Sequence, residues 1–267
     1  MRQARADIGK CVELDPKHAS SYIVLGKIHY DGLDYPKAIK YYDRGLALEP
    51  GEHNGFNNRG SLHYKQGDFA LALSDFRSAL AIKEKAVYHA NIGMALQELK
   101  KNTEALEHYD KAIRLEPEYT DAYQYRGFLF ASLNRYEEAE RDLCELIRIE
   151  PGNADHYALL ARFYFARGNY DRCLENSNKA VHLKKQDAHF RLERAQFRAF
   201  LGYTAGALED FDSAVASSPN LAKCYYLRGQ FYWKIGESAK AKKDFRTFLE
   251  LSPEHNLRTE VESLLKK

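Results

Sequence analysis

The sequence of 267 residues has little of several features that mark whole classes of protein. Its 40 Lys and Arg are nearly balanced by 38 Asp and Glu, so it lacks the basic excess typical of nucleic-acid binders. It has no apolar run near the roughly 18 residues that span a bilayer, and its first residues lack the apolar stretch of a secretory signal. These absences predict a cytoplasmic protein that binds no nucleic acid and inserts into no membrane.

Cysteine and catalytic signatures are also sparse. The four cysteines are Cys11, Cys144, Cys173 and Cys224, and they form no CxxC pair and have no His at ligand spacing. Reduced thiols are therefore expected, rather than disulfides or a zinc site. No GxSxG, GxGxxG, P-loop or HExxH pattern occurs, and the ten His are dispersed. We predict no enzymatic activity, no cofactor and no metal site.

What the sequence does contain is a repeat with a period of about 34 residues, marked by small side chains. The first small residue of each repeat is Gly26, Gly60, Gly93, Gly127, Ala161, Ala195 or Gly229. A second small residue follows each of these at a fixed interval, as Ala38, Ala72, Ala105, Ala139, Cys173, Ala207 or Ala241. Large and small residues follow the spacing of one helix face, so each repeat is predicted to be a pair of helices. One pair cannot bury its own apolar face, and neighbouring pairs must therefore stack.

Prolines mark where the repeats end. The closing prolines are Pro16, Pro50, Pro117, Pro151, Pro219 and Pro253. Together with aromatics four positions from the small residues, this pattern resembles the tetratricopeptide repeat family. The resemblance covers residues 19–255 as seven repeats, 19–52, 53–85, 86–119, 120–153, 154–187, 188–221 and 222–255. It implies an all-α fold, a right-handed α-solenoid of stacked antiparallel helix pairs.

The two ends and one internal joint depart from the repeat. Residues 1–18 match only a second helix, so we predict an N-terminal half-repeat, either an amphipathic cap or the edge of a chain that is a segment or short isoform of a longer protein. Residues 256–267 carry apolar residues on one helix face, which predicts a solvating helix and a native C-terminus. Repeat two is one residue short and has Glu84 in place of proline. We therefore expect its second helix to run into the next helix without a clean stop.

Two positions vary together among the repeats. Four repeats have arginine at position 7 and aspartate at position 23, whereas the other three have neither. The pairs are Arg59 and Asp75, Arg126 and Asp142, Arg194 and Asp210, and Arg228 and Asp244. Because positions that vary together are usually in contact, we predict four structural bridges between the two helices of a repeat. The alternative is descent from one duplicated unit with both charges solvated.

A third set of positions is predicted to face a partner. Positions 2, 5, 9 and 12 of each first helix point away from the core face. In the family that the chain resembles, they line a concave groove. The candidate groove residues, including two at position 6, are Lys27, Tyr30, Asn54, Asn57, Asn58, Tyr64, Asn91, Met94, Gln124, Phe128, Arg162, Phe165, Gln196, Tyr226 and Gln230. Amides and aromatics suit peptide capture, although any one amide can equally be ordinary helix surface.

The resulting hypothesis is a scaffold or adaptor that binds an extended peptide or helix of another protein in this groove. The alternative is a targeting or substrate-recruitment segment of a larger enzyme or of a ciliary or trafficking complex. Self-association through the N-terminal edge is a further possibility. A clamp for the C-terminal carboxylate of a chaperone is not expected. No three successive repeats supply the Lys, Asn and Arg residues that co-chaperone members of the resembled family use for it. The sequence does not identify the partner or the pathway.

Overall fold

The computed structural model describes Ile8 and residues 12–266, and all regular structure in this part of the chain is helical. The helices after residue 18 are α1 (Ala19–Asp31), α2 (Tyr35–Leu48), α3 (His53–Gln66), α4 (Phe69–Ile82), α5 (Ala86–Glu98), α6 (Asn102–Leu115), α7 (Thr120–Ser132), α8 (Tyr136–Ile149), α9 (Ala154–Ala166), α10 (Tyr170–Leu183), α11 (Ala188–Phe200), α12 (Thr204–Ser217), α13 (Ala222–Lys234), α14 (Ser238–Leu251) and α15 (Arg258–Leu265). Among the described helices, none has the length and apolarity needed to cross a bilayer.

The helices form two compact units, residues 1–145 (unit one) and residues 146–267 (unit two). In unit one, α1 packs on α2, α3 on α4 and α5 on α6, and each pair packs on the next. Unit two repeats this arrangement with α9 and α10, α11 and α12, and α13 and α14. The first helices of successive pairs also touch, and the surface they form in a unit is called its first-helix face below. The predicted all-α class with stacked antiparallel helix pairs is confirmed.

Small residues allow the two helices of a pair to approach closely. A Cβ on Gly26 would lie 2.5 Å from the ring of Tyr42, and a Cβ on Gly93 would lie 2.5 Å from the ring of Tyr109. Both tyrosine rings are almost fully buried. Because a methyl group cannot occupy that space unless the ring moves, Gly26 and Gly93 are favoured over larger residues by the tyrosine ring opposite each of them.

The prediction that the second helix of repeat two runs into the next helix without a clean stop is wrong. Helix α4 ends at Ile82, and Lys83 and Lys85 adopt extended backbone angles before α5 begins at Ala86. Three non-helical residues are enough to reverse the chain here, because extended backbone interrupts the helical hydrogen bonds as effectively as a proline ring does. A missing proline therefore did not imply a continuous helix.

The two ends differ in how much of them the structure describes. Ile8 and residues 12–14 are helical, whereas residues 1–7 and 9–11 of the predicted half-repeat lie outside the described residues. At the other end, α15 buries Val261 completely against a cluster that includes Phe245 and Phe248 of α14. This helix covers the apolar surface of the last pair.

Candidate functional site

Each of the four arginine and aspartate pairs forms a two-pronged hydrogen bond. The arginine Nε donates to the aspartate Oδ2 at 2.7–2.8 Å, and Nη2 donates to Oδ1 at 2.5–2.8 Å. The pairs are Arg59 with Asp75, Arg126 with Asp142, Arg194 with Asp210, and Arg228 with Asp244. Each arginine lies in the first helix of its repeat and each aspartate in the second, so the pairs join the two helices.

Sequence reasoning missed a second partner of every arginine. Its Nη1 donates at 2.6–2.8 Å to a side-chain oxygen on the second helix of the preceding repeat. These acceptors are Asp43, Asp110, Asn178 and Asp212. Each arginine therefore ties three helices together. The signal was present in the sequence, because an acceptor stands at the same separation before and after each arginine.

The bridges lie mostly out of solvent. The arginine side chains are 13–23% exposed and their aspartates 1–8% exposed, whereas the carboxylates from the preceding repeat are 43–56% exposed. Burial raises the pKa of Asp142, and the hydrogen bonds from Arg126 oppose that rise. Hydrogen bonds to Asp75 hold the pKa of Arg59 above its usual range. The donors and acceptors of these residues satisfy one another, which is the arrangement that a structural role requires.

The first-helix face of unit one brings polar side chains of α3 and α5 together. The Asn91 Nδ2 donates to the Asn57 Oδ1 at 2.8 Å. One turn earlier, the Tyr88 hydroxyl lies 2.6 Å from the His53 Nδ1 and 3.4 Å from the Asn54 Oδ1. The remaining amide groups of Asn57 and Asn91 make no other hydrogen bond within the described residues. They are available to a ligand.

A cavity of about 350 Å³ opens beside this amide pair. Its walls come from four helices of unit one. They are Tyr30 of α1, Ser61, Tyr64 and Lys65 of α3, Phe76 of α4, and Asn91 and Met94 of α5. Four of these residues, Tyr30, Tyr64, Asn91 and Met94, were predicted groove residues, and the structure brings them to one place. Lys65 and Phe76 were not predicted, because they lie at other positions of the repeat.

Lys65 is held at the cavity by two aromatic rings. Its Nζ lies 5.2 Å from the centroid of the Tyr30 ring and 5.3 Å from that of the Tyr35 ring. A hydrogen bond with Tyr35 raises the pKa of Lys65, so the ammonium group is charged at neutral pH. Within the described residues, no carboxylate pairs with this lysine. The cavity therefore has an apolar wall and a cation at its edge.

The other predicted groove residues of unit one lie outside the cavity. Lys27 is exposed on α1, and Phe128 is 42% exposed on α7. Asn58 and Gln124 are partly buried on α3 and α7. These side chains share the first-helix face with the cavity without lining it.

The candidates in unit two have a different character. Phe165 packs against Phe197 at 4.8 Å and against Phe200 at 4.9 Å between ring centroids. Phe200 is 59% exposed, so this aromatic cluster reaches the surface. Nearby, Arg162 pairs with Glu193 at 2.9 Å. Gln196, on the same helix as Glu193, is exposed.

One of the unit-two candidates, Tyr226, contacts the C-terminal helix, and a second, Gln230, contacts Tyr226. The Gln230 Nε2 donates to the Tyr226 hydroxyl at 2.7 Å, and that hydroxyl lies 3.4 Å from the Glu260 Oε1 of α15. The Tyr226 ring also lies 5.2 Å from the ring of Phe248. Tyr226 is therefore largely a packing residue beneath α15.

No group of three or more His, Cys, Asp or Glu side chains in the described part of the chain is arranged to hold a metal ion.

Comparison with known proteins identifies the repeat. Tetratricopeptide repeat models match residues 23–87, 86–119, 108–141 and 222–255. The chain belongs to the tetratricopeptide repeat (TPR) family. TPR proteins bind other proteins, and the TPR fold is typical of scaffolds that carry out no catalysis. At this general level the chain is a protein-interaction scaffold.

The curated TPR relatives are longer proteins. The DnaJ homolog subfamily C member 7 homolog of Schizosaccharomyces pombe is 27% identical over 149 residues, which cover 49% of this chain and 31% of that protein. The human DnaJ homolog subfamily C member 7 is 24% identical over 157 residues, which cover 52% of this chain and 32% of that protein. The chain thus matches less than one third of the length of these two relatives.

Solved structures show the same TPR fold over almost the whole chain. A tetratricopeptide repeat protein from Parabacteroides merdae is 24% identical and superposes with a TM-score of 0.63, covering 93% of this chain and 98% of that one. YrrB, described as a TPR protein with an unusual peptide-binding site, is 23% identical with a TM-score of 0.50, covering 70% of this chain and 97% of that one. At these identities the likeness concerns the fold.

Proposed function

We propose that this TPR chain captures an extended peptide segment of a partner protein on the first-helix face of unit one. The observation that carries the proposal is the position of the Asn57 and Asn91 amide pair beside an open cavity. A peptide in extended conformation has unpaired backbone N–H and C=O groups, which need partners when it binds. An asparagine amide supplies both a donor and an acceptor.

The amide pair is prepared for this role. The hydrogen bond between Asn91 and Asn57 fixes both side chains, so little side-chain entropy is lost when a ligand binds. This bond leaves the N–H donors of the Asn57 amide and the carbonyl oxygen of the Asn91 amide for the ligand backbone. Phe128 supplies exposed apolar area farther along the same face.

The likeness to YrrB supports the proposal only as a precedent. That protein is described as having a peptide-binding site on a TPR fold. At 23% identity, nothing about its ligand transfers to the present chain. The specificity must come from the residues of this chain. Phe165 and Gln196 of unit two form a separate candidate contact surface.

Selection from a random dodecapeptide library tests the proposal. The wild-type protein would be compared with a face variant that carries Asn57→Ala, Asn91→Ala and Phe128→Ala. A matched control carries Glu107→Ala and Lys111→Ala on the exposed surface of α6. Peptides retained by the wild type and the control but lost by the face variant are expected. Peptides retained equally by all three folded proteins would show that the first-helix face of unit one is not the binding surface.

A second candidate is a recruitment segment of a larger protein. It is favoured by the short share of each relative that the chain matches, including 4% of the UDP-N-acetylglucosamine–peptide N-acetylglucosaminyltransferase of Giardia intestinalis, at 42% identity over 52 residues. An immunoblot of the native source with an antibody against α15 tests it. A native polypeptide far above the 30.8 kDa of this chain supports recruitment, whereas a band at that mass contradicts it.

A further inference from the structure

The cavity of unit one has the dimensions of a side-chain pocket. Its volume of about 350 Å³ lies at the lower end of the range for small-ligand pockets, about 300–1,000 Å³. The buried ring of Phe76 forms its floor, and Tyr30, Tyr64 and Met94 stand around it. Such a space admits one Leu, Met or Phe side chain. Methionine in the wall is suited to adapt to side chains of different shape.

The charge at the edge of the cavity determines which kind of residue must lie next to the bound apolar side chain. Lys65 is the cation at this edge, and two tyrosine rings hold its Nζ in place at 5.2 and 5.3 Å. Lys27, one turn before Tyr30 on α1, adds a second exposed cation on the same helix face. Neither lysine forms an ion pair within the described residues. Among the acids, Glu98 interacts with the hydroxyl of Tyr64, one of the cavity residues.

We propose that this cavity binds one large apolar side chain of a partner peptide while Lys65 binds an acidic side chain directly next to it. The partner is thus a segment in which Leu, Met or Phe is flanked by Asp or Glu. This inference rests on the proposed function and specifies the sequence that the first-helix face of unit one selects. The apolar residue supplies most of the buried area. The charge-assisted contact with Lys65 makes the protein prefer an apolar residue that has an acidic neighbour in the peptide.

Met94 provides a direct reporter. The chain has only two methionines, Met1 and Met94, so methyl-¹³C-methionine labelling gives two resonances. Met94→Leu assigns them, and the Met1 resonance serves as the reference. The probes are acetylated, amidated peptides Gly-Ser-Z-X-Z-Gly-Ser, in which X is Ala, Leu or Phe and Z is Asp, Asn or Lys. Acidic residues on both sides of X remove any dependence on chain direction.

The expected result is a saturating shift of the Met94 resonance with Asp-Leu-Asp or Asp-Phe-Asp. Replacement of Leu by Ala should abolish the shift, because the cavity is left empty. Replacement of Asp by Asn should weaken binding about five- to tenfold, and Lys should weaken it further. Lys65→Gln should remove the preference for Asp over Asn, and Lys65→Arg should keep it. Lys40→Gln, an equal loss of charge at an exposed site on α2, should leave the preference unchanged.

Three results would overturn the inference. They are equal Met94 shifts with X as Ala or Leu, equal affinities for the Asp and Asn peptides, and a preference for Asp that survives Lys65→Gln. These failures are distinguishable from failure of the proposed function. If library peptides bind the wild type and are lost by the face variant, yet none perturbs Met94, the face binds peptides and the cavity proposal is wrong. If the library yields no peptide that depends on the face, both are wrong.

Discussion

Repeats three and four have chemically different side-chain pairs at the same place between their two helices. In repeat four, Asp142 at position 23 accepts two hydrogen bonds from Arg126, which also reaches Asp110 of repeat three. In repeat three, position 23 is His108, whose Nδ1 lies 3.0 Å from the Nδ1 of His89. In repeat four, the space between the two helices at position 23 (the slot) is filled by an ion pair. In repeat three, the slot is filled by two imidazole rings.

The difference shows that this slot can be filled by a hydrogen-bonded pair of neutral rings as well as by an ion pair. A hydrogen bond between two Nδ1 atoms requires one N–H and one lone pair, so it exists only while at least one ring is neutral. Burial lowers the pKa of His108 to about 4 and also lowers that of His89, although Glu84 opposes the latter shift. Repeat four therefore keeps this pair at any pH above the pKa of its carboxylates, whereas repeat three keeps its pair only while at least one of the two histidines is neutral.

The largest effect is expected from breaking the charged pair. Asp142→Ala leaves the guanidinium of Arg126, which is 19% exposed, without its main acceptor. Removal of one partner from a buried pair costs about 3–5 kcal/mol, and the remaining bond to Asp110 places this case near the lower limit. Urea unfolding followed by circular dichroism measures the loss. Peptide binding should be unchanged once folding is allowed for.

A double variant provides the control for this loss. Repeat three has Ile92 where repeat four has Arg126, so Arg126→Ile with Asp142→Ala replaces the arginine by an apolar residue that the chain already carries at this repeat position. It should recover a large part of the stability lost in Asp142→Ala, because no buried charge is left unpaired. If the double variant is as unstable as the single one, the loss comes from packing rather than from the uncompensated charge.

The histidine pair should make stability depend on pH. The folded-state pKa of His108, about 4, lies below the value near 6.5 of an unfolded chain, so the unfolded state binds the proton more readily between these values. The contribution of His108 to the free energy of unfolding should therefore fall as the pH is lowered from 6.5 to 4 and become constant below that. Charges on Lys111 and Arg77 add to this effect, and Glu104 opposes it.

His108→Asn isolates this contribution, because asparagine occupies the same position in repeat five, as Asn176. Unfolding of the wild type and the variant would be measured at pH 7 and pH 4.5. The wild type should lose about 2 kcal/mol more than the variant over this interval. Parallel losses in the two proteins would assign the acid sensitivity to groups other than His108.

Much of the fold could be predicted because the residues that shape one helix pair recur in every repeat. The small residues at Gly93 and Gly127, the closing prolines and the apolar spacing all follow from the packing of two helices, and each signal occurs many times in one chain. Comparison among the repeats also indicated the partner of Arg126 within its own repeat. Its second partner, Asp110, was missed because only positions within one repeat were compared.

The cavity could not be predicted in the same way. The helical period places Tyr30, Tyr64 and Met94 on one face, but their distances depend on how neighbouring repeats are offset. The period also gives no reason to include Lys65, which reaches the cavity edge only because the rings of Tyr30 and Tyr35 direct its side chain there. Side-chain placement of this kind depends on contacts between repeats, which no single repeat encodes.

The glycines of the two repeats provide a smaller test of how tightly each is packed. A Cβ on Gly93 would lie 2.5 Å from the Tyr109 ring, whereas a Cβ on Gly127 would meet its nearest side-chain atom, in Asp142, at 3.2 Å. Gly93→Ala should therefore cost about 1–3 kcal/mol, and Gly127→Ala clearly less. Thermal unfolding measures both. Equal losses would mean that the ring of Tyr109 moves aside as easily as Asp142 does.

The smallest expected effect lies in the turns between the paired helices of these repeats. Lys100 has a φ of 63° and Asn134 a φ of 60°, at the repeat position where Gly67, Gly168, Gly202 and Gly236 adopt the same left-handed conformation. A lysine is strained there, asparagine tolerates the conformation, and glycine adopts it freely but loses more entropy on folding. Lys100→Gly should therefore raise the free energy of unfolding by about 0.5–1 kcal/mol, and Asn134→Gly should change it by less. Urea unfolding of the two variants measures this difference. If Asn134→Gly gains as much stability as Lys100→Gly, or more, backbone strain does not distinguish the two turns.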